Sequence, residues 1–112
     1  MSDVLRELAA TIEARRAADP GESYVASLHQ KGLNKILEKV GEEATEVVLA
    51  AKDVDAGGDG DALVGEVADL WFHSMVMLSH LDMDISEVLE CLANRFDVSG
   101  LQEKAARESP RD

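Results

Sequence analysis

The chain has 112 residues, a length that suits one domain and no more. Its formal net charge is −12 and its sequence pI is near 4.5, which excludes direct binding of nucleic acid or an anionic membrane through clustered Lys and Arg. Hydrophobic residues make up 46% of the chain and aromatics only 4%, a balance that favours an all-helical protein and leaves any phosphate ligand in need of an intervening cation.

Ser2 is a candidate cap for a first helix running to about Ala18, with Val4, Leu5, Leu8 and Ile12 on one face. Asp19-Pro20-Gly21 ends it. Ser23 opens a short segment to about Lys31, punctuated by Gly32. A long helix over about 33–53 carries the apolar stripe Ile36, Leu37, Val40, Ala44, Val47, Val48 and Ala51. A loop with Gly57, Gly58 and Gly60 leads into a helix over about 61–81. There Leu63, Val64, Val67, Leu70, Trp71, Ser74 and Leu78 form one face, and Phe72, Met75 and Val76 lie opposite. Asp84 and Glu87 make a capping pattern for a last helix to about Phe96. Ser99-Gly100 breaks the chain before a polar tail of about 98–112. The expected architecture is one all-α domain over 1–112, a bundle of four to five helices with short connections. The lone Cys91 allows no internal disulfide and points to a reducing compartment. The first residues show no signal-peptide core, and no run is long and apolar enough to span a bilayer, so a cytoplasmic location is expected.

At 100° per residue, Glu43 lies at the edge of the apolar stripe of its helix, and Glu46, three residues on, points at nearly the same spot. Glu66 and Asp69 repeat that spacing on the next helix. A hairpin through the glycine loop would bring the two acidic pairs together. A helix apolar nearly all round is buried, and carboxylates there need partners; four that converge repel one another without a cation. An all-oxygen set without Cys suits Mg²⁺, or Mn²⁺ in its place, better than zinc. The alternative is a solvated Glu-rich face, and periodicity by itself leaves both readings open.

Glu42-Glu43-Ala44-Thr45-Glu46 with Glu66-Val67-Ala68-Asp69 resembles the Glu-Glu-x-x-Glu…Glu-x-x-Asp signature of the all-α nucleoside triphosphate pyrophosphatases, the MazG-like superfamily. Three further blocks narrow the likeness: 23–28, from Ser23 to Leu28; 32–46, with Lys39-Val40-Gly41-Glu42-Glu43 at its centre; and 99–104, ending in Lys104. Together they resemble the phosphoribosyl-ATP pyrophosphohydrolase family over nearly the whole chain. The resemblance implies a MazG-like dimeric bundle that uses Mg²⁺ to hydrolyse the α–β bond of phosphoribosyl-ATP to phosphoribosyl-AMP and pyrophosphate, the second step of histidine biosynthesis. It implies the stand-alone form, without a fused cyclohydrolase. The bulky Leu70-Trp71-Phe72-His73 run departs from the pattern but leaves the acidic signature untouched.

On this reading Glu43, Glu46, Glu66 and Asp69 are metal ligands. Glu42 and Glu46 are the catalytic candidates, with Glu42 placed to orient or deprotonate the attacking water or to serve a second ion. Lys35 and Lys39 lie on the acidic face, where they could neutralise phosphate oxygens or simply pair with Glu42 and Glu46. His73, Asn94, Arg95 and Lys104 are further substrate-binding candidates, and Lys52 is a weaker one. His73 could equally be a buried histidine bonded to a neighbour. His29 and His80 read as surface or edge residues, and the methionines and Trp71 as core. The acidic stretch from Asp53 to Asp61 is no EF-hand, since Val64 stands where the final glutamate belongs, and no Gly-Lys-Ser/Thr follows the glycines to make a P-loop. A homodimer is expected, because one thin bundle cannot cover Phe72, Met75 and Val76 as well as the opposite face. Two other functions remain in play: a house-cleaning hydrolase of non-canonical or deoxynucleoside triphosphates, and a non-catalytic acidic module that binds a partner through the 61–81 helix.

Overall fold

The fold was read from a computed structural model that describes residues 2–96; the Ser99-Gly100 break, the tail and Lys104 lie outside the described residues. Five helices follow in order: α1 (Ser2–Arg15), α2 (Tyr24–Lys31), α3 (Leu33–Asp55), α4 (Gly60–His80) and α5 (Ile85–Phe96). No strand occurs among the described residues.

Helix α1 stops earlier than its sequence pattern suggests. Pro20 bars Asp19 from helical geometry, and the Asp19 carbonyl instead accepts from Glu22 N and Ser23 N at 2.9 and 3.0 Å. Arg16, freed from the helix, donates to the Ser79 carbonyl at 2.8 Å and to Asp82 at 2.9 Å, tying the end of α1 to the end of α4. Ser23 then caps α2, its Oγ accepting from Ala26 N at 3.2 Å. Gly32, at φ 97°, turns the chain from α2 into α3 through left-handed backbone that a side chain would strain.

Helices α3 and α4 form a long antiparallel hairpin. Its turn depends on Gly58, where a Cβ would stand 2.8 Å from the Asp53 carbonyl oxygen. Asp59 caps α4 by accepting from Asp61 N at 2.9 Å. At the α5 end, Asp84 Oδ1 accepts from Ser86 N at 3.0 Å and Glu87 Oε2 accepts from Asp84 N at 3.2 Å, so the capping pattern forms.

The core gathers at one end of the hairpin, where α1 and α2 wrap α4 and α5 packs on α1. Ile12, Val25, Leu28, Ile36, Met75, Val76 and Ile85 fill it, with Leu5, Leu8 and Phe72 packed alongside. This corrects three expectations. Val4 is exposed and lies outside the α1 face. On α4 the Met75–Val76 face is the better covered, at 5% and 0% exposure, while on the other face Val64 and Trp71 are 67% and 54% exposed and Leu63, Val67, Leu70, Ser74 and Leu78 are half-buried. Trp71 is therefore not core, nor is Met83 at 46% exposure, and the face expected to lack cover is the better covered one. Periodicity shows that α4 has two apolar faces but cannot say which one α1 and α2 reach. On α3 the stripe is buried only at Ile36; Leu37 beside it is exposed, as are Val48 and Ala51 toward the hairpin turn.

No helix among the described residues is long and apolar enough to cross a membrane. His29 and His80, expected at the surface, are instead half-buried and stacked, with their Nδ1 atoms 2.9 Å apart.

Candidate metal centre

The hairpin places the two acidic spacings against each other. Oxygen atoms of Glu43, Glu46 and Glu66 lie within 4.8 Å of one another. Glu43 is buried at 6% exposure, Glu66 is half-buried and Glu46 is exposed. The i,i+3 spacing sets Glu43 and Glu46 on one side of α3, and the tight 56–59 turn fixes the register that brings Glu66 opposite. Asp69 stays outside this group. Its side chain is exposed, and its carbonyl oxygen lies 2.7 Å from His73 Nδ1.

The charges are felt. Glu66 is held above the ordinary glutamate value, first by desolvation and then by repulsion from Glu46, Glu43 and Asp69. Like charges at this distance favour either a proton or a cation, and three carboxylates with no sulfur or imidazole among them form a hard-oxygen set. The donor chemistry therefore fits a divalent ion of the magnesium or calcium type.

One turn before Glu43, Lys39 donates to Glu42 at 3.2 Å and reaches Glu43 at 3.8 Å. Its ammonium is held above the ordinary lysine value by the hydrogen bond to Glu42, with desolvation opposing and Tyr24, Glu42 and Glu43 adding to the rise. Glu42 thus borders the cluster through Lys39 without entering it. Lys35 turns away and pairs with Glu38 at 2.9 Å. Asn94 and Arg95 are exposed on α5, which packs on α1 rather than on the acidic stretch of the hairpin, and Lys52 is exposed toward the end of α3.

His73 is buried, with Nε2 2.8 Å from the Tyr24 hydroxyl. Tyr24 is the residue that reading the sequence did not single out. Its signal was its place directly after the Ser23 cap in the 23–28 block. A separate cleft of about 510 Å³ lies between α1 and the α4–α5 turn. Arg6, Glu13, Asp82 and Asp84 line it with mixed charge and it includes none of the three clustered carboxylates.

A helical hairpin that presents clustered carboxylates from both arms, with a lysine one turn below, defines an acidic all-α protein with a candidate cation site. The model of the family "Phosphoribosyl-ATP pyrophosphohydrolase" matches residues 5–96, and the chain belongs to that family. It is similar to "Phosphoribosyl-ATP pyrophosphatase" of Burkholderia cenocepacia (strain HI2424), 57% identical over 106 residues, covering 95% of this chain and 88% of the relative. The protein of the same name from Burkholderia orbicola (strain AU 1054) is also 57% identical over 106 residues, with the same coverage.

Proposed function

We propose that this chain hydrolyses the α–β phosphate bond of phosphoribosyl-ATP, with Mg²⁺, to phosphoribosyl-AMP and pyrophosphate, a step of histidine biosynthesis. The observation that carries the reading is the meeting of Glu43, Glu46 and Glu66 in a member of this family. These three side chains, with Asp69 at the edge, would hold the ion, which would supply positive charge to offset the phosphate charge that an acidic protein otherwise repels. Lys39 neutralises a phosphate oxygen beside the cluster. Glu42 takes the proton of the attacking water, a role its half-exposed side chain outside the cluster leaves open to it. Water adds to the α-phosphorus, the bond from that phosphorus to the bridging oxygen breaks, and the oxygen leaves with pyrophosphate.

The working form is a cytoplasmic homodimer. The exposed apolar residues Val48 and Leu49 on α3 and Val64 and Trp71 on α4 support it, in place of the Phe72 face expected earlier. Cys91 is exposed and free, which fits a reducing compartment.

Pyrophosphate release with Mg²⁺ tests the reaction, with phosphoribosyl-ATP set against a panel of canonical and deoxynucleoside triphosphates. Turnover of phosphoribosyl-ATP alone is expected. Turnover of deoxynucleotides without phosphoribosyl-ATP would move the chain to the house-cleaning hydrolases. Turnover of neither, with no metal-dependent change in melting temperature, would leave a binding module.

A further inference from the structure

Tyr24 opens α2 with its ring 50% exposed, yet it is held on three sides. The ring stacks on Phe72 with centroids 6.1 Å apart and planes 20° apart. It meets the His73 ring edge-on at 5.7 Å, and its hydroxyl lies 2.8 Å from His73 Nε2. The other ring nitrogen, Nδ1, lies 2.7 Å from the Asp69 carbonyl. A carbonyl only accepts, so Nδ1 carries the proton and donates. In the neutral ring Nε2 is then an acceptor, and the Tyr24 hydroxyl must donate to it. The phenol proton is thereby fixed, and the remaining lone pairs of Oη point away from His73.

That hydroxyl sits at one end of the site. His73 follows Glu66 by two turns on the same face of α4, a rise of about 10 Å. Lys39, one turn before Glu43 on the antiparallel α3 and 3.8 Å from its carboxylate, lies on the His73 side of the cluster. The order along the hairpin is carboxylates, lysine, phenol. A triphosphate seated at the carboxylates puts the substrate's sugars next in line. A sugar hydroxyl has a proton to give to the phenol's lone pairs, and an ionised phosphate oxygen has none. An exposed aromatic ring ordered before any ligand arrives also spares binding the cost of ordering it.

We propose that Tyr24 accepts a hydrogen bond from a sugar hydroxyl of the substrate and that His73 is the positioning residue that aims it. This deepens the proposed reaction and rests on it. Steady-state kinetics of the full chain with Mg²⁺ and phosphoribosyl-ATP give the test. Tyr24→Phe keeps the ring and loses the hydroxyl, and is expected to raise KM roughly five- to tenfold with kcat within twofold, the signature of lost uniform binding. His73→Phe raises KM by the same factor, and the double variant is no worse than either single one, because His73 acts through Tyr24. His73→Gln, whose amide oxygen can accept from the phenol, restores KM toward the wild-type value.

Circular dichroism and thermal melts of each variant give the folded fraction. A purely structural role lowers kcat with that fraction and leaves KM alone. That result, an unchanged KM in Tyr24→Phe, or effects that multiply in the double variant would overturn the proposal. Should His73→Phe fail to fold, Tyr24→Phe and His73→Gln decide alone. A wild-type chain that does not turn over phosphoribosyl-ATP would defeat the reaction instead. Calorimetric titration with α,β-methylene-ATP then carries the same comparison, and equal affinity of wild type and Tyr24→Phe would overturn the role of Tyr24.

Discussion

Two substitutions on α4 separate its two apolar faces. Val76 is fully buried beside Ile36 and Met75, so Val76→Ala removes two carbon groups from a packed core. Their transfer contributes roughly 1.6 kcal/mol at about 0.8 kcal/mol per group, and the cavity left behind brings the loss to about 2–3 kcal/mol. For a domain of this size that lowers Tm by about 10 °C or more. Trp71 is 54% exposed in the single chain, so Trp71→Ala should leave the monomer's stability nearly unchanged. If the dimer covers that face, each ring buries roughly a further 100 Å² or more, about 3 kcal/mol per protomer, and its loss weakens association at least a hundredfold. Urea unfolding at micromolar and at dilute concentration, paired with sedimentation, reads both effects. The reasoning fails if Trp71→Ala destabilises the dilute monomer as much as Val76→Ala does. It fails equally if Val76→Ala has no effect, since the core would then lie on the other face.

Two further outcomes bear on the site and a third on the stability of the fold. Glu46→Gln should abolish pyrophosphate release while the metal-free melting temperature holds or rises slightly, because one repelling charge leaves the cluster; a clear fall in that temperature would make Glu46 structural. Adding Mg²⁺ at about a hundred times its dissociation constant should stabilise the wild type by about 2.7 kcal/mol and Glu43→Gln by much less, as differential scanning fluorimetry would record. His29 sits below the ordinary histidine value, chiefly from desolvation and then from Arg16 and His80, with Glu13 opposing. Its neutral form is thus the one the fold favours. That stability is whole above the unfolded value of about 6.5 and drains away as pH falls through it and toward the lower folded value. Urea midpoints between pH 7.5 and 5 should therefore drop more steeply in wild type than in His29→Asn, and parallel curves would exclude His29 as the cause.

Much of the architecture is legible because it depends on local chemistry. Ser23, Gly32, Asp84 and Glu87 sit where caps and a left-handed turn demand those residues, and both ends of α2 and the starts of α3 and α5 follow. The acidic spacing is legible for the same reason, since i,i+3 fixes a direction without knowledge of the rest of the fold. Burial is less so. Glu43 is enclosed, but Glu66 is only half-buried and Asp69 exposed, because the buried residues of α4 are His73, Met75, Val76 and Ser79, and Glu66 and Asp69 precede that stretch. The argument that buried carboxylates demand a cation therefore applies to Glu43, and for Glu66 it rests on the neighbouring charges instead.

Contacts across long stretches of sequence leave no trace in periodicity. Tyr24 and His73 are 49 residues apart, and no spacing rule links the first residue of a short helix to the middle of a long one. Arg16 and Asp82 meet across 66 residues in the same way. Such pairs need α2, or the end of α1, docked on the hairpin, so their energy belongs to the assembled fold. In the Tyr24–His73 pair one hydrogen bond also settles the direction of the next. The Asp69 carbonyl sets the tautomer of His73, and the tautomer sets the proton of Tyr24. Asp69 thus touches His73 through its backbone and acts on Glu66 through its charge. Asp69→Asn, which keeps that carbonyl, should therefore leave the Tyr24–His73 pair intact while removing a charge beside Glu66.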